Sequence, residues 1–286
     1  MFAHFDPDSI VDPHVQFLLL QLNTVSDELV FVSTSGATLA YLNALNLPVS
    51  RIITRENTGF DFYSWKMGLA TVSLAEFDEL ILCNDSVYGP LVPLADVFNE
   101  MAERPCAFWG ITDNKQLNFH LQSYFLVFRS SVTHSSTFEK FWKQVQPLKN
   151  KQDVIVNYEI RLTPWLMAEG FEPQAYFRPT FWDGIKTYRI ALGRASAALC
   201  AARGNVKAFA QTYRTCRTLN KTHYFWKEMI RRNAPFVKIE LLKTNPERRR
   251  IAGVLSEIQR SSDYPVRLIR DHQRRINRTS LGSEIF

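Results

Sequence analysis

The first half of the chain alternates short apolar runs with amphipathic stretches, and this alternation constrains the possible fold more than any other feature. Apolar runs of four to six residues predict β-strands, and apolar residues at helical spacing predict helices between them. Strands that alternate with helices form parallel βαβ units, so we predict an α/β fold with helices flanking a mostly parallel central sheet. The predicted strands are 2–5, 28–33, 51–54 and 79–83, and the predicted helices are 15–25 and 61–72.

Small polar residues follow three of these predicted strands. They lie in the segments 33–36 (STSG), 56–59 (ENTG) and 84–86 (NDS). In α/β sheets, ligands bind beyond the carboxyl ends of the strands. The three segments therefore predict a nucleotide site along one sheet edge, although ordinary βα turns are rich in the same residue types and remain the alternative.

The second half of the chain has a different texture. Aromatic-rich strands indicate an antiparallel addition to the sheet, and the last predicted helix contains Pro164, where we expect a bend. Residues 184–227 contain no Asp or Glu and several Lys and Arg, which predicts a basic helical segment, and the tail beyond residue 243 is also basic. The predicted strands here are 106–111 and 122–128, and the predicted helices are 136–145 and 154–171.

Composition excludes several classes of protein. The chain has 286 residues, 46% of them apolar, which suits one large globular domain. Its four cysteines form no CxxC pair, so neither a zinc ribbon nor a disulfide framework is predicted. The start lacks the pattern of a secretory signal and no apolar run is long enough to span a membrane, so we expect a cytoplasmic protein. A net charge of +6 favours anionic partners.

Six phrases, taken in order, resemble the rhamnan synthesis F family of bacterial glycosyltransferases, which belongs to the GT-A class. They span roughly residues 2–245. The phrases are RENTGFDFYSWKMGL (55–69), DELILCNDSVYGPL (78–91), FWGIT (108–112), HLQSYFLVF (120–128), NYEIRLTPWLMAEGF (157–171) and THYFWKEMIRRNAPFVKIELL (222–242).

The resemblance implies a GT-A fold over residues 1–245, followed by a basic carboxyl-terminal extension over 246–286. Residues 1–105 would form the nucleotide-sugar half and residues 106–245 the acceptor half. It also implies inverting transfer of a sugar, often rhamnose from dTDP-rhamnose, onto a lipid-linked glycan at the inner face of the bacterial plasma membrane.

The donor site implied by the resemblance centres on Asp85. GT-A enzymes commonly hold Mg²⁺ or Mn²⁺ with an Asp-x-Asp motif after a strand, and this chain offers one carboxylate there, which would leave metal binding weak or optional. A turn or capping role for Asp85 is the alternative, and His120 is a second candidate metal ligand. The remaining predicted donor contacts are Ser33, Asn57, Gly59, Asp61, Asn84, Ser86 and Lys238.

Transfer also needs a base that takes the proton of the acceptor hydroxyl. The family places such a carboxylate at the start of a helix, where this chain has Glu159, and Asp113 is the second candidate. An ion pair between Glu159 and a neighbour such as Arg161 is the alternative. In the acceptor region His120, Gln122 and Tyr124 are predicted contacts, with His120 and Gln122 on one face of a strand.

Two other functional classes remain open at this point. The incomplete acidic motif favours a catalytically silent nucleotide- or sugar-binding partner in a polysaccharide assembly complex. The positive charge permits nucleic-acid binding, but aromatic and basic residues do not interleave on a recognisable module, so we predict no nucleic-acid partner. The basic segments instead suit an anionic membrane surface.

Overall fold

A computed structural model describes residues 1–115, 117–178, 180–183 and 220–280, together with the single positions 185, 189 and 193. Most of the basic segment predicted over 184–227 therefore lies outside the described residues. Within the described parts of the chain, no helix is both long and apolar enough to cross a membrane.

A seven-stranded mixed sheet forms the centre of the molecule, in the order β10-β6-β9-β4-β1-β2-β3. Strands β3, β2, β1 and β4 are mutually parallel, and β9 runs antiparallel to both β4 and β6. The predicted α/β class with a mostly parallel sheet is confirmed. The strands are β1 (Phe2–His4), β2 (Val30–Ser33), β3 (Arg51–Thr54), β4 (Glu79–Asn84), β6 (Phe108–Gly110), β9 (Phe125–Arg129) and β10 (Pro173–Ala175).

Two short ribbons lie outside this sheet. Strand β5 (Val87–Tyr88) pairs antiparallel with β11 (Val237–Lys238), and β7 (Asp113–Asn114) pairs antiparallel with β8 (His120–Leu121). The first ribbon begins three residues beyond β4. It therefore brings Lys238, from late in the chain, next to the carboxyl end of a central strand.

Helices cover both faces of the sheet. Successive side chains along each strand point to opposite faces, so neighbouring residues of one strand pack against different helices. Phe2 packs with α1, α2 and α4, whereas its neighbour Ala3 packs with α3, α6 and α8 on the other face. The helices up to residue 167 are α1 (Pro13–Asn23), α2 (Leu39–Ala44), α3 (Phe60–Leu69), α4 (Leu94–Ala102), α5 (Ser130–Thr133), α6 (Ser136–Gln144), α7 (Lys151–Val154) and α8 (Ile160–Met167).

The last predicted helix, 154–171, contains an irregular turn, and the bend expected at Pro164 stays a prediction. A π-helical turn occupies Ile155–Glu159, where the amide of Ile160 donates to the carbonyl of Ile155. Pro164 lies inside α8. A π turn is a frequent feature of functional sites, since its wider ring redirects the side chains next to it.

Residues 246–280 pack against the rest of the chain through an apolar cluster. Tyr88 from β5 and Leu91 are buried with Ile258 and Ile269 from the carboxyl-terminal helices. This segment therefore shares a hydrophobic core with residues that precede it. The predicted domain boundary at residue 245 stays a prediction. The late helices are α9 (Lys221–Tyr224), α10 (Trp226–Arg231), α11 (Ile239–Lys243), α12 (Val254–Ser261) and α13 (Arg267–Ser280).

One predicted strand is wrong at its start. The sequence predicts a strand over 122–128 that His120 enters, but β8 ends at Leu121 and β9 begins at Phe125. Between them the Gln122 amide donates to the Thr112 carbonyl, and the Ser123 amide donates to the Glu159 carboxylate. Because these donors are satisfied outside the sheet, strand alternation does not place His120 and Gln122 on one face.

Candidate functional site

The order of the strands reverses between β1 and β4, and the polar segment 84–86 lies at that point. Asp85 follows β4 directly, and its Oδ2 accepts a hydrogen bond of 2.7 Å from the amide of Phe5, the first residue after β1. In doubly wound sheets the ligand lies in the crevice where the strand order reverses. The structure thus places the carboxylate of Asp85 at the position where a nucleotide ligand is expected.

Asn84 holds the segment in shape. Its Nδ2 donates to Asp61 Oδ2 at 2.8 Å, and its Oδ1 accepts from the amide of Ser86 at 3.1 Å and from the hydroxyl of Ser86 at 2.6 Å. Asn84 is almost fully buried. The amide therefore links the start of α3 to the turn after β4, and Asn84, Ser86 and Asp61 lie in one connected group.

Asp85 lies in an environment that disfavours its charge. The pKa of Asp85 is raised to about 8, chiefly by burial and also by the nearby carboxylates of Asp61 and Asp6, against the hydrogen bond from Phe5, which lowers it. Burial also raises the pKa of Asp61, against the hydrogen bond from Asn84. A cation bound beside these two carboxyl groups would stabilise their ionised forms, which burial disfavours.

Lys238 brings positive charge to the same group. The carbonyl of Ser86 accepts a 3.0 Å hydrogen bond from the amide of Ile239, which fixes the ribbon of β5 and β11 beside the turn. The ammonium of Lys238 lies 4.5 Å from the centre of the Tyr124 ring. Burial lowers the pKa of Lys238, while the carboxylates of Glu159 and Glu240 raise it.

Glu159 completes the group from the other half of the chain. It is the last residue of the π turn, and its Oε1 accepts a 3.0 Å hydrogen bond from the amide of Ser123. Its charge acts on both Asp61 and Lys238. The alternative for Glu159, an ion pair with Arg161, is not what the structure shows, since the contact it makes is with backbone.

Comparison with known proteins assigns the chain to a family. The model of the rhamnan synthesis protein F family matches residues 29–199, more than half of the chain. The chain belongs to this family. Its resemblance to the rhamnan synthesis F proteins, inferred from the six phrases, is therefore confirmed, and a role in polysaccharide synthesis fits the family.

Two relatives from other bacteria are similar to the chain at 28% and 30% identity. The virulence protein VirA of Vibrio anguillarum is 28% identical over 210 residues, covering 68% of this chain and 62% of its own length. An uncharacterized protein, y4gN, of Sinorhizobium fredii is 30% identical over 144 residues, covering 48% of this chain and 37% of its own length. The chain thus spans about three-fifths of the first relative and less of the second.

The region of the chain that matches the family model contains most of the group around Asp85. Asp61, Asn84, Asp85 and Glu159 lie within residues 29–199, whereas Lys238 lies beyond them. The lysine reaches the group through the pairing of β11 with β5. A purely local sequence comparison would therefore miss one of its charges.

The segment 56–59 is organised by Arg55, which sequence reasoning did not select. Its guanidinium donates to the carbonyls of Glu56, Thr58 and Phe60 and to the Ser64 hydroxyl. Such a fork of donors fixes the loop before α3. Asn57 is exposed on this loop, and its predicted contact with the donor stays a prediction.

Gly59 is explained by packing within the protein. It has φ of +72°, and a Cβ there would lie 2.7 Å from the Cα of Pro147 and 2.6 Å from the Cβ of Tyr63. Both the left-handed backbone and the close approach require glycine. Its predicted contact with the donor remains a prediction.

Ser33 lies at the end of β2 in a buried polar chain. Its hydroxyl is 3.0 Å from His4 Nδ1 and 2.8 Å from the hydroxyl of Ser35. Burial lowers the pKa of His4 to about 4, so the ring is neutral near pH 7. His4 was missed in the sequence because β1 is only three residues long and carries no motif.

Two acceptor candidates converge on Thr112. The Thr112 hydroxyl lies 2.7 Å from Gln122 Oε1 and 2.8 Å from the Tyr124 hydroxyl, and all three residues are buried. The Tyr124 hydroxyl is thus used inside the protein, and its buried ring lies beside the ammonium of Lys238.

Asp113 and His120 lie on the ribbon of β7 and β8 and have other partners. Asp113 forms an ion pair with Lys221 in which both side chains are only 15% exposed. His120 Nδ1 is 2.8 Å from the carbonyl of Asn118. Asp113 is therefore linked to α9. Among the described residues, no hydrogen bond joins Asp113 or His120 to the group around Asp85.

His223 on α9 is poorly suited to serve beside Lys238 as a cation for a leaving diphosphate. It is 2% exposed, and burial lowers its pKa. The ring is therefore neutral near pH 7, although the Glu240 carboxylate, 3.6 Å from Nε2, raises its pKa in part. Lys238 remains the cation of the group.

Proposed function

We propose that this protein is an inverting glycosyltransferase of the GT-A class that uses a nucleoside-diphosphate sugar. The observation that carries the proposal is the position of Asp85 at the reversal of strand order, hydrogen-bonded to Phe5, with Lys238 and Glu159 in the same electrostatic group. The order β3-β2-β1-β4 supports it, because it is the order of nucleotide-binding halves in doubly wound sheets.

The residues of the group suit a divalent cation together with a diphosphate. Mg²⁺ and Mn²⁺ prefer oxygen ligands, and Mg²⁺ commonly binds through one or two carboxylates and substrate phosphates. Asp85 would hold the metal, with Asp61 adding negative charge nearby. When bound, the cation supplies electrostatic stabilisation of the diphosphate leaving group.

The chain's own side chains carry the rest of the reaction. Glu159 accepts the proton of the acceptor hydroxyl, whose oxygen forms a bond to the anomeric carbon as the bond from that carbon to the diphosphate oxygen breaks. The bonding electrons pass to the diphosphate, and the Lys238 ammonium stabilises the negative charge that develops. Attack opposite the leaving group inverts the configuration.

Rhamnose from dTDP-rhamnose is the donor we propose, on the strength of the family's description. A glycan or lipid-linked glycan is the proposed acceptor, and Gln122, Tyr124 and His120 are its proposed contacts. In this assignment Ser33, Asn57, Gly59, Asn84 and Ser86 serve the nucleotide, and Asp113 and His120 stay secondary candidates for base and metal ligand.

One observation favours a second candidate function, a silent nucleotide- or sugar-binding partner in polysaccharide assembly. Only one carboxylate follows β4, and burial keeps the pKa of Asp85 near 8, so much of it is protonated at pH 7. A protonated carboxyl can donate to a phosphate oxygen without any metal. Such a protein would bind nucleotide and turn nothing over.

A panel of nucleoside-diphosphate sugars separates the two functions. We expect dTDP-rhamnose with Mg²⁺ or Mn²⁺ to raise the melting temperature and, with a rhamnan-type acceptor, to release nucleoside diphosphate. Binding at 100 times Kd would stabilise the fold by about 2.7 kcal/mol. Stabilisation without release on any acceptor would support the silent partner, and no response to any nucleotide would contradict both.

We also propose that the protein binds the anionic inner face of the membrane. Arg267, Arg270 and Arg274 are exposed at helical spacing on one side of α13. Near an acidic lipid surface each such charge contributes about 1 kcal/mol. We expect sedimentation with acidic vesicles that weakens with salt and with Gln at these three positions; equal sedimentation with neutral vesicles would contradict it.

A further inference from the structure

A second cluster of polar side chains lies where the carboxyl-terminal helix crosses the start of α1. Asp12, His14 and His272 each offer one ligand atom, and these atoms all lie within 4.8 Å of one another. All three residues are more than nine-tenths buried, at 6%, 3% and 8% exposure. Burial of this kind requires a compensating partner.

The ring nitrogens of His14 have no partner within the described part of the chain. Both of its ring nitrogens are buried and make no hydrogen bond. The ring instead lies tilted against His272 at 4.2 Å and edge-on to Tyr88 at 5.2 Å, measured between ring centres. Both nitrogens are therefore buried polar atoms without a hydrogen-bond partner.

The other two side chains, Asp12 and His272, each have a polar partner outside the cluster, Arg275 and Tyr88 respectively. Asp12 is the N-cap residue of α1, yet its carboxylate makes no capping hydrogen bond and lies 3.6 Å from His272 Nε2. His272 Nδ1 is 2.7 Å from the Tyr88 hydroxyl, which also accepts from Gln273. The hydrogen bond with Tyr88 orients the ring so that Nε2 faces Asp12, as in metal sites whose histidines are oriented by an outer hydrogen bond.

The charge around the cluster matches a divalent cation. Asp6, Asp8 and Asp12 all form ion pairs with the single guanidinium of Arg275. Three carboxylates and one guanidinium leave two negative charges beside two neutral imidazoles. Arg275 shares Asp12 with the cluster, so a bound cation would compete with it for that carboxylate while Asp6 and Asp8 retain the guanidinium.

We propose that Asp12, His14 and His272 bind a divalent transition metal, with Zn²⁺ the best match to two imidazoles and one carboxylate. Three protein ligands and a water satisfy the usual four-coordinate geometry of zinc. Mg²⁺ is a poor match because it prefers oxygen ligands. The metal would link α13 to α1, and none of its three ligands belongs to the group around Asp85.

Zinc binding by the full chain tests the site directly. After treatment with EDTA, we expect wild-type protein to take up one Zn²⁺ per chain in competition with a chromophoric chelator, and millimolar Mg²⁺ not to displace it. We expect His14→Phe, which keeps the aromatic packing, and Asp12→Asn, which keeps a capping residue, each to weaken binding by at least about 100-fold. Tyr88→Phe should weaken it about 10-fold with the stoichiometry unchanged.

His134→Gln is the control, since His134 is exposed and lies outside the cluster. It should bind zinc as the wild type does. Wild-type protein that takes up no stoichiometric Zn²⁺ would overturn the proposal even if every variant failed to fold. Equal zinc affinity in wild type and His14→Phe would overturn it as well.

Discussion

Asp85→Asn should abolish metal-dependent release of nucleoside diphosphate and at the same time raise the melting temperature of the free protein. Loss of the one carboxylate after β4 removes the proposed ligand of the cation, so we expect turnover to fall by at least about 100-fold, the size found when one charge-stabilising group is removed from an active site. Asn can still accept the hydrogen bond from the amide of Phe5, which at present measures 2.7 Å.

The gain in stability follows from the raised pKa of Asp85. A carboxyl group whose pKa is about 8 in the folded protein and 3.8 in the reference state stabilises the fold most below pH 3.8. That contribution is lost progressively as the pH rises toward 8, so the free energy of unfolding of the wild type falls over this window. For a half-buried group we expect the Asn variant to regain on the order of 1–2 kcal/mol at pH 8.

Metal affinity of the wild type should depend on pH in the opposite sense. Because Mg²⁺ binds the ionised carboxylate, the affinity should increase about tenfold for each unit by which the pH rises toward 8, and it should level off above pH 8. Calorimetric titration of Mg²⁺ with nucleoside diphosphate between pH 6 and 9 measures this. A flat profile, or tighter nucleotide binding at low pH without metal, would contradict the metal role and favour a protonated Asp85 as hydrogen-bond donor.

Asp78→Asn is the matched control for Asp85→Asn. It makes the same substitution at the other end of β4, where the side chain is exposed. We expect neither turnover nor melting temperature to change by more than the small amounts typical of surface positions. If both variants lost activity equally, a general effect on the strand would explain the result better than a site at Asp85.

The strands could be predicted from the sequence because each is a compact apolar run with polar ends. RIIT occupies β3 as predicted, and ELILC differs from β4 by one residue. The same alternation placed Asn84, Asp85 and Ser86 at a sheet edge. What the pattern could not reveal was the hydrogen bond from Phe5 to Asp85, because it joins residues 80 apart.

Partners of long, charged side chains were the least predictable feature. Arg275 belongs to a basic tail that invites a membrane role, yet it binds Asp6, Asp8 and Asp12. Asp113 was a candidate base, and its partner Lys221 lies 108 residues away. Such pairs depend on which helix crosses which loop, and local residue patterns carry no information about that crossing.

Glu159→Gln should lower the transfer rate by about 10²- to 10⁴-fold while leaving donor binding unchanged, because Gln cannot accept the proton of the acceptor hydroxyl. The side-chain carbonyl of Gln can still accept the 3.0 Å hydrogen bond from the amide of Ser123, so the turn before β9 should keep its shape. Kinetics with saturating donor would show kcat reduced, and thermal titration with nucleoside diphosphate would show the wild-type Kd.

Glu169→Gln supplies the comparison, since Glu169 is exposed just after α8 and should tolerate the change with full activity. If Glu159→Gln instead weakened donor binding with kcat preserved, Glu159 would act on Lys238 and Asp61 through its charge rather than as the base. In that case Asp113, which is paired with Lys221, becomes the candidate base, and Asp113→Asn should be the variant that lowers kcat. Retention of kcat in both variants would remove the two carboxylates from the mechanism.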